Sequence, residues 1–460
     1  MVCLGDCGYY VDIIIIIVEP RCIHPAALDS PRNCRKNSLK EHPMWPHNKD
    51  LPHFGPLAGV KVVHATSSVA GPFSVQMLAD NGADVIWIEN PSAPDMNRFT
   101  GSTNIEAERR NQRGVALNIA SEEGKAVFFD LIRHADVFVE SSKGGQYARW
   151  GLTDEELWKV NKKLVICHIS GFGQSGLPEY VKRPSFDMVA QAFSGYMHSN
   201  IAPGSPPFAV GPVAGDYFTA LFATAGILMA LRSAELSGVG DSVDVAQFEC
   251  LLRASFYSSD WFTNNTPVAS AGEPSLSAGV GCYRCKDGAY VQLVVSGTGG
   301  LKNVCKLFGL EYGTADIPEG VGVILRGTAG GDKIDEAAEL YMSARTADQA
   351  SADLLAAGVA AQKINTPQDV MDDPHVQARG TLQEVTTNAG TQLTYVGAVP
   401  QFSRHPSNTW RPAPWTGMDN EEVLKQLGYD EEIIAKMYSD GIIGRKPVDG
   451  RREAASDVRQ

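Results

Sequence analysis

From residue 57 the chain alternates short β-branched runs with amphipathic stretches, and the alternation repeats often enough to predict a fold. Residues 60–63 form an apolar run, residues 65–71 a small-residue turn, and an amphipathic stretch continues to Ala79. Asn81-Gly82 breaks that pattern before a second apolar run at 85–88, so the segment reads as one βαβ unit. A strand is expected over 114–119, then a helix through Ile132 capped by Ser121, with Glu122 and Glu123 where the helix dipole favours anions. Residues 137–139 read as a strand, Thr153 and Glu156 as a capping box for a helix ending near Lys159, and 164–169 as another strand. Parallel strands need crossover helices, so the pattern predicts an α/β fold with a Rossmann-like, doubly wound parallel sheet.

After Phe186 the pattern turns helical, with helices expected over 187–197, from 216 to about 231 and from 242 to about 262. The middle one is strongly apolar, but at about sixteen residues and with Gly226 inside it predicts a buried core helix rather than a membrane span. A Gly- and Ser-rich stretch, 271–281, leads into a hairpin over 283–295 with its turn at Lys286-Asp287-Gly288. Two short helices, 420–427 and 431–438, close the ordered chain. The expected organisation is a disordered or wrongly started extension over 1–52, with Met44 a candidate start, followed by the first part of a large Rossmann-like domain over 53–235. A linker helix (236–270), a smaller α+β domain (271–365), a return to the large domain (366–445) and a disordered tail (446–460) complete it.

Length and charge narrow the function. A chain of 460 residues exceeds the roughly 250 to 300 that one core supports, so two lobes are expected. A net charge of -13 argues against nucleic acid or an anionic membrane as partner, since both would be repelled at long range. Nine cysteines without a regular framework fit a reduced cytoplasm rather than a secreted scaffold. The apolar run 13–18 lies between Asp12 and Glu19 and is too short for a signal peptide or a span.

Several motifs offer chemistry. Gly171-Phe-Gly-Gln-Ser-Gly176 matches the dinucleotide fingerprint, but Leu177-Pro178-Glu179-Tyr180 opens a helix poorly and no acid follows about twenty residues on. It reads instead as a loop at the carboxyl end of a strand. Cys282-Tyr-Arg-Cys285 lacks the second ligand pair that a structural zinc needs, and no serine-hydrolase elbow is present, so no metal site is expected. Arg109, Arg110 and Arg113, with Lys143 and Arg149, stand out in an acidic chain. They read either as solvated surface charge or as an anion site whose guanidinium forks match phosphate oxygens. Gly215-Asp216-Tyr217 opens the apolar helix, where Asp216 serves equally as an N-cap or as a carboxylate placed for covalent work beside backbone N–H groups.

Taken as an ordered set, these residues resemble a known family. Leu57-Ala-Gly-Val-Lys-Val-Val63, Ala70-Gly-Pro72, Gly82-Ala-Asp-Val85, Ile88-Glu89, Asp187-x-x-Ala190-Gln-Ala192-x-Ser-Gly195, Gly215-Asp216, Val243-Asp-Val245 and Gly417-Met-Asp419 through Gly428-Tyr429 are similar to the class III CoA-transferases. The similarity spans residues 53–445. It implies a Rossmann-like large domain joined to a small one, in an interlocked homodimer, acting on an acyl-CoA and a small carboxylic acid with no tightly bound cofactor. It implies Asp216 as the nucleophile, passing through an aspartyl anhydride and an aspartyl-CoA thioester. Ser67, Ser68, Val69 and Ala70 in the first βα turn, Lys143, Arg149 and Phe172 match positions that line the CoA site. Asn90 stands where some members have arginine, and 271–281 is a candidate lid. The racemases that share this fold use a histidine where this chain has Phe186, which carries no proton, so transfer is the preferred reading. The resemblance leans toward a carnitine- or betaine-like acid, with Tyr196, Tyr217, Phe218, Tyr257 and Trp261 as a candidate aromatic cage. A bile acid or an aromatic 2-hydroxy acid is the alternative.

Overall fold

The computed structural model describes residues 44–100, 103–200, 204–255, 258–265 and 275–445. The expectations for 1–43, for Tyr257, for 271–274 and for the tail beyond 445 fall outside the described residues. The expected βαβ unit is β1 (Lys61–Ala65), α1 (Ala70–Asp80) and β2 (Asp84–Glu89). Next come α2 (Asn104–Ala107), β3 (Gln112–Ala116), α3 (Glu122–Ile132), β4 (Val137–Glu140), α4 (Gln146–Arg149), α5 (Asp154–Val160) and β5 (Val165–Ser170). Both N-cap side chains bond as expected, Ser121 Oγ accepting from Gly124 N–H at 3.1 Å and Thr153 Oγ1 from Glu156 N–H at 3.4 Å, but the Glu156 side chain does not return to Thr153, so the predicted capping box is half formed. The middle of the chain continues through α6 (Pro178–Val181), α7 (Asp187–Phe193), α8 (Ala214–Ser237), β6 (Ser242–Ala246), α9 (Gln247–Ala254) and α10 (Ser258–Asn264).

These strands form a six-stranded sheet in the order β3-β2-β1-β4-β5-β6, with every pairing parallel. The order reverses between β1 and β4. Their carboxyl ends therefore flank the switch point where ligands bind in open α/β sheets.

Two helical expectations are corrected. The segment 242–262 is β6 followed by α9 and α10, because Ser242-Val-Asp-Val245 alternates with a period of two and pairs with β5 before helical spacing begins. The apolar helix α8 runs 24 residues and starts two before Asp216. Its length and composition suit a membrane crossing, yet one face packs on α1, β5 and β6 through Ala220, Ala223, Ile227 and Ala230. Gly226 is tolerated because a Cβ there would meet Val243 Cγ1 at 2.7 Å, so glycine lets β6 approach. The opposite face leaves Leu221, Phe222, Leu228, Met229 and Leu236 exposed.

The rest of the chain builds two smaller sheets. β7 (Val280–Arg284), β8 (Tyr290–Val294) and, after α11 (Gly297–Phe308), α12 (Ala329–Ser343) and α13 (Ala347–Ala356), β9 (Ala360–Lys363) form an antiparallel sheet. Its hydrophobic cluster, including Val291, Leu293, Ile334 and Leu354, draws only on residues 278–361. The turn predicted at Lys286-Asp287-Gly288 is present, with Gly288 at φ 84°. The candidate lid is anchored over its described part. Gly279 N–H donates to Asp335 Oδ1 at 2.8 Å, and Arg326 ties that carboxylate to the Ser275 carbonyl.

Beyond α14 (Pro367–Asp372) and α15 (Pro374–Ala378), β10 (Leu382–Thr386) and β11 (Gln392–Val396) pair antiparallel, and α16 (Asn420–Gln426) and α17 (Glu431–Ser439) follow. Asp419 and Asn420 accept the Gly114 and Ala116 N–H groups at 2.6 and 2.8 Å, which covers the free edge of β3.

Arg109, Arg110 and Arg113 are neither solvated charges nor a free anion site. Arg109 pairs with Asp95 at 2.8 Å, Arg113 with Asp84 at 2.9 Å, and Arg110 with Asp80, all buried. Arg98 pairs with Glu89 at 2.7 Å through two nitrogens, and the Arg98 and Arg109 guanidiniums lie 4.6 and 5.1 Å from the Trp87 ring centre. The partner acids come from α1, β2 and the loop after β2, so only the folded chain unites the pairs. Arg109→Met should destabilise the protein by about 3–5 kcal/mol, because it strands the buried Asp95 charge. Chemical denaturation measures this, and a loss below about 0.5 kcal/mol would return Arg109 to the surface class.

Candidate active site

A buried carboxylate stands in the first turn of α8. Asp216 is the third residue of that helix, and the N-cap is Val213, so the N-cap reading does not hold. Asp187, at the start of α7, takes over the capping by accepting the Asp216 N–H at 3.1 Å. Gln191, one turn on, donates to Asp187 Oδ2 at 2.7 Å and bonds both backbone groups of Val210, fixing the approach to α8. Gly215 allows this convergence, since a Cβ there would stand 2.8 Å from Asp187 Oδ1. On the other side Gln247, first residue of α9, donates to Asp216 Oδ1.

Burial, then the Asp187 charge, pushes the Asp216 carboxyl up to about 7; Glu108 adds to the rise, and the Gln247 hydrogen bond opposes it. A carboxylate at this value is a stronger nucleophile than an ordinary surface aspartate and is still ionised near neutral pH. Its activity should therefore rise with pH through a midpoint near 7, and Gln247→Ala, which removes a donor to the anion, should move that midpoint higher in kcat/KM profiles. Stability follows the opposite sign. Between 3.8 and about 7 the folded state holds the proton more tightly, so stability falls as pH rises across that window. Asp216→Asn should raise the melting temperature at pH 8, by up to about 4 kcal/mol in stability at 1.36 kcal/mol per pKa unit.

The first βα turn and the segment after β4 meet across the switch point. Ser67, with Asn90, Asp95, Ser142, Tyr147 and Trp150, lines a cavity of about 160 Å³ there. Ser68 and Val69 are half-buried behind Ser67, and Ala70 is buried at the start of α1. Lys143 and Arg149 are exposed beside Ser142, Tyr147 and Trp150, and Arg149 donates to Gln146. These two are the cations of the sequence cluster that remain available to an anion. Phe172 lies elsewhere, buried among Tyr180, Phe193 and Phe248 rather than lining that cavity.

Ser68 holds φ 70°, an uncommon conformation for a residue with a side chain. Its carbonyl accepts from Arg109 at 2.8 Å and Asn97 at 2.9 Å, and its N–H donates to Asp95 Oδ2 at 3.2 Å. The buried Arg109–Asp95 pair thus shapes the turn, with Asp95 also lining the cavity.

Sequence reasoning missed a second support. His168 on β5 bridges Glu140 at 2.8 Å and Asp154 at 2.9 Å, while Glu140 Oε2 accepts the Ser142 N–H at 2.6 Å. Burial alone would lower the imidazole, but the hydrogen bonds to Asp154 and Glu140 prevail and raise it to about 10. His64 on β1 shows the contrary case, where burial prevails and lowers it to about 3 despite a bond to Gln112. A raised histidine stabilises fully below its free value of 6.5, and that contribution disappears as pH climbs through about 10. His168→Gln should lower the melting temperature at pH 6 and flatten its decline between pH 7 and 10; an unchanged slope would dismiss the clamp.

The candidate aromatic cage divides. Tyr196 and Phe218 lie 6.3 Å apart, whereas Tyr217 turns away to Phe73 at 4.8 Å and donates to Glu108 Oε1 at 2.8 Å. Consecutive helical residues point roughly 100° apart, so Tyr217 and Phe218 cannot share one pocket. Trp261 is exposed on α10. Glu108 had no sequence signal beyond its place beside Arg109. Among the described residues Cys282 and Cys285 are free thiols, and no three His, Cys, Asp or Glu side chains cluster as a metal would require.

Comparison with known proteins supplies the frame for these groups. The model of CoA-transferase family III matches residues 57–420. The L-carnitine CoA-transferase of Proteus mirabilis (strain HI4320) is 37% identical over 402 residues, 85% of this chain and 97% of its own length. A CAIB/BAIF family protein from Brucella suis superposes with a TM-score of 0.69 at 26% identity, covering 81% of this chain and 100% of its own. A Mycobacterium tuberculosis protein has the same fold, with a TM-score of 0.70 at 23% identity over 80% of this chain and 98% of its own.

Proposed function

The chain belongs to CoA-transferase family III, and from that premise we propose that Asp216 carries CoA from an acyl-CoA donor to a carboxylic acid acceptor. Its carboxylate attacks the thioester carbonyl, the C–S bond breaks, and CoA thiolate leaves behind an aspartyl mixed anhydride. The thiolate then attacks the aspartyl carbonyl, releasing the donor acid and forming an aspartyl-CoA thioester. The acceptor carboxylate repeats the two exchanges in reverse, delivering acceptor-CoA and restoring Asp216. No proton is needed at any step, so the site requires no general acid. An aspartyl anhydride and an aspartyl thioester stay close in energy to an acyl-CoA, whereas a serine ester would trap the acyl group.

The observation that carries this reading is one desolvated carboxylate in the first turn of a helix, raised to about 7 and held by Asp187 and Gln247. The cavity at the switch point, with Lys143 and Arg149 exposed beside it, supports CoA binding there. A carnitine- or betaine-like acceptor is supported by the Proteus mirabilis relative. The exposed apolar faces of α7 and α8, with Met188, Phe193, Met229 and Leu236, support a homodimer in which a second copy covers them. The free described cysteines suit a reducing cytoplasm.

Hydroxylamine added during turnover should trap an acylated carboxylate, found by peptide mass spectrometry as a hydroxamate at Asp216, and Asp216→Ala should abolish transfer. Full activity in Asp216→Ala would end the proposal. Deuterium entering the α-carbon of the acyl-CoA without any acceptor acid would favour a racemase instead.

A further inference from the structure

Gln247 stands where β6 turns into α9, and its amide is buried between two partners. On one side the Ser185 hydroxyl donates to Oε1 at 3.4 Å, and on the other Nε2 donates to Asp216 Oδ1. An ionised carboxylate accepts and cannot donate, so the amide must face Asp216 with its nitrogen. Gly171, which follows β5, makes room for Ser185: a Cβ on Gly171 would stand 2.1 Å from the Ser185 Cβ. Asp187 accepts the Asp216 backbone N–H and offers its side chain no donor. Among the described residues the Gln247 amide is therefore the one donor to the Asp216 carboxylate, and Oδ2 has none.

That asymmetry gives the two oxygens different tasks. Oδ2 is free to attack the donor thioester, while Oδ1 stays on the amide as the carbonyl oxygen of the acylated aspartate. When CoA thiolate attacks the aspartyl Cγ, the C=O electron pair moves onto Oδ1; the Cγ–Oδ2 bond then breaks, and the donor acid departs with Oδ2. When the acceptor carboxylate attacks the resulting thioester, the charge returns to Oδ1 until the Cγ–S bond breaks and thiolate leaves. We propose that Gln247 is a further catalytic residue, its Nε2–H the oxyanion donor for both attacks on the aspartyl carbonyl. The proposal rests on the transferase reading above. The resting carboxylate shares its charge between two oxygens, whereas each tetrahedral intermediate concentrates it on Oδ1, so the same hydrogen bond strengthens as the reaction proceeds. A donor that served only the resting anion would restrain its attack, and its loss would leave the ionised enzyme as fast or faster.

The test is kcat on its alkaline plateau, where Asp216 is ionised with or without the amide. Gln247→Met keeps the length of the side chain and removes the donor. Its plateau kcat should fall about 100-fold, the scale of one lost oxyanion donor. KM for the donor acyl-CoA should stay within about threefold, because the ground-state complex is spared. With donor alone, the burst of donor acid that accompanies aspartyl-CoA formation should slow by the same factor. Gln247→Asn, which keeps a buried amide but withdraws it from Asp216, should lose as much, and it decides the matter should the Met variant fail to fold. A plateau kcat at or above about one third of wild type in either folded variant, or a deficit carried wholly by KM, overturns the inference. Either result leaves the transferase reading standing, whereas full activity in Asp216→Ala removes both.

Discussion

The turn after β1 depends on a buried ion pair, one member of which, Asp95, also lines the cavity beside the turn. Ser68 at φ 70° costs the fold of the order of 1 kcal/mol or more, and Arg109 and Asp95 hold it there through its carbonyl and N–H. The pair is affordable only inside a dense network. Four arginines and four acids alternate across α1, β2, β3 and their loops, with the Arg98 and Arg109 guanidiniums 4.6 and 5.1 Å from the Trp87 ring centre. Removing one member exposes another to an uncompensated buried charge, so the network stands or falls together. What it positions is the backbone of residues 67–70, the strand-to-helix turn at the switch point.

Asp216 presents the opposite electrostatic arrangement. Its neighbours Asp187 and Glu108 are like charges, and no arginine or lysine hydrogen-bonds its carboxylate among the described residues. The fold spends stability to keep an anion poorly solvated, and it does so where Gly215 lets two helices meet at a distance no Cβ would allow. In the ion-pair network each buried carboxylate has an arginine partner. That contrast is what supports the proposed role of Asp216 as nucleophile.

Local pattern made much of this legible. The βαβ unit, the Ser121 and Thr153 caps, the hairpin turn at Gly288 and the two closing helices follow from periodicity and capping, which act over a few residues. β6 was illegible because five alternating residues run directly into an amphipathic helix. The arginine cluster misled for another reason: exposure is a tertiary property, and the acids that bury Arg109, Arg110 and Arg113 lie 14 to 30 residues away. Asp187 and Gln247 were beyond reach similarly, standing 29 and 31 residues from Asp216. The family resemblance pointed to Asp216 without revealing what holds it.

The charge distribution also explains how so acidic a chain can receive a polyanion. At physiological salt an exposed charge is felt over about 8 Å, so the net charge of -13 sets solubility and not the field inside a cleft. Near the switch point the exposed charges are Lys143 and Arg149, since the other arginines are neutralised internally. Behind Tyr217, Glu108 accepts the Tyr217 hydroxyl and lies 3.9 Å from Arg109. The internal pairing of Arg109, Arg110 and Arg113 is what leaves Lys143 and Arg149 as the cations of that cluster open to an anion.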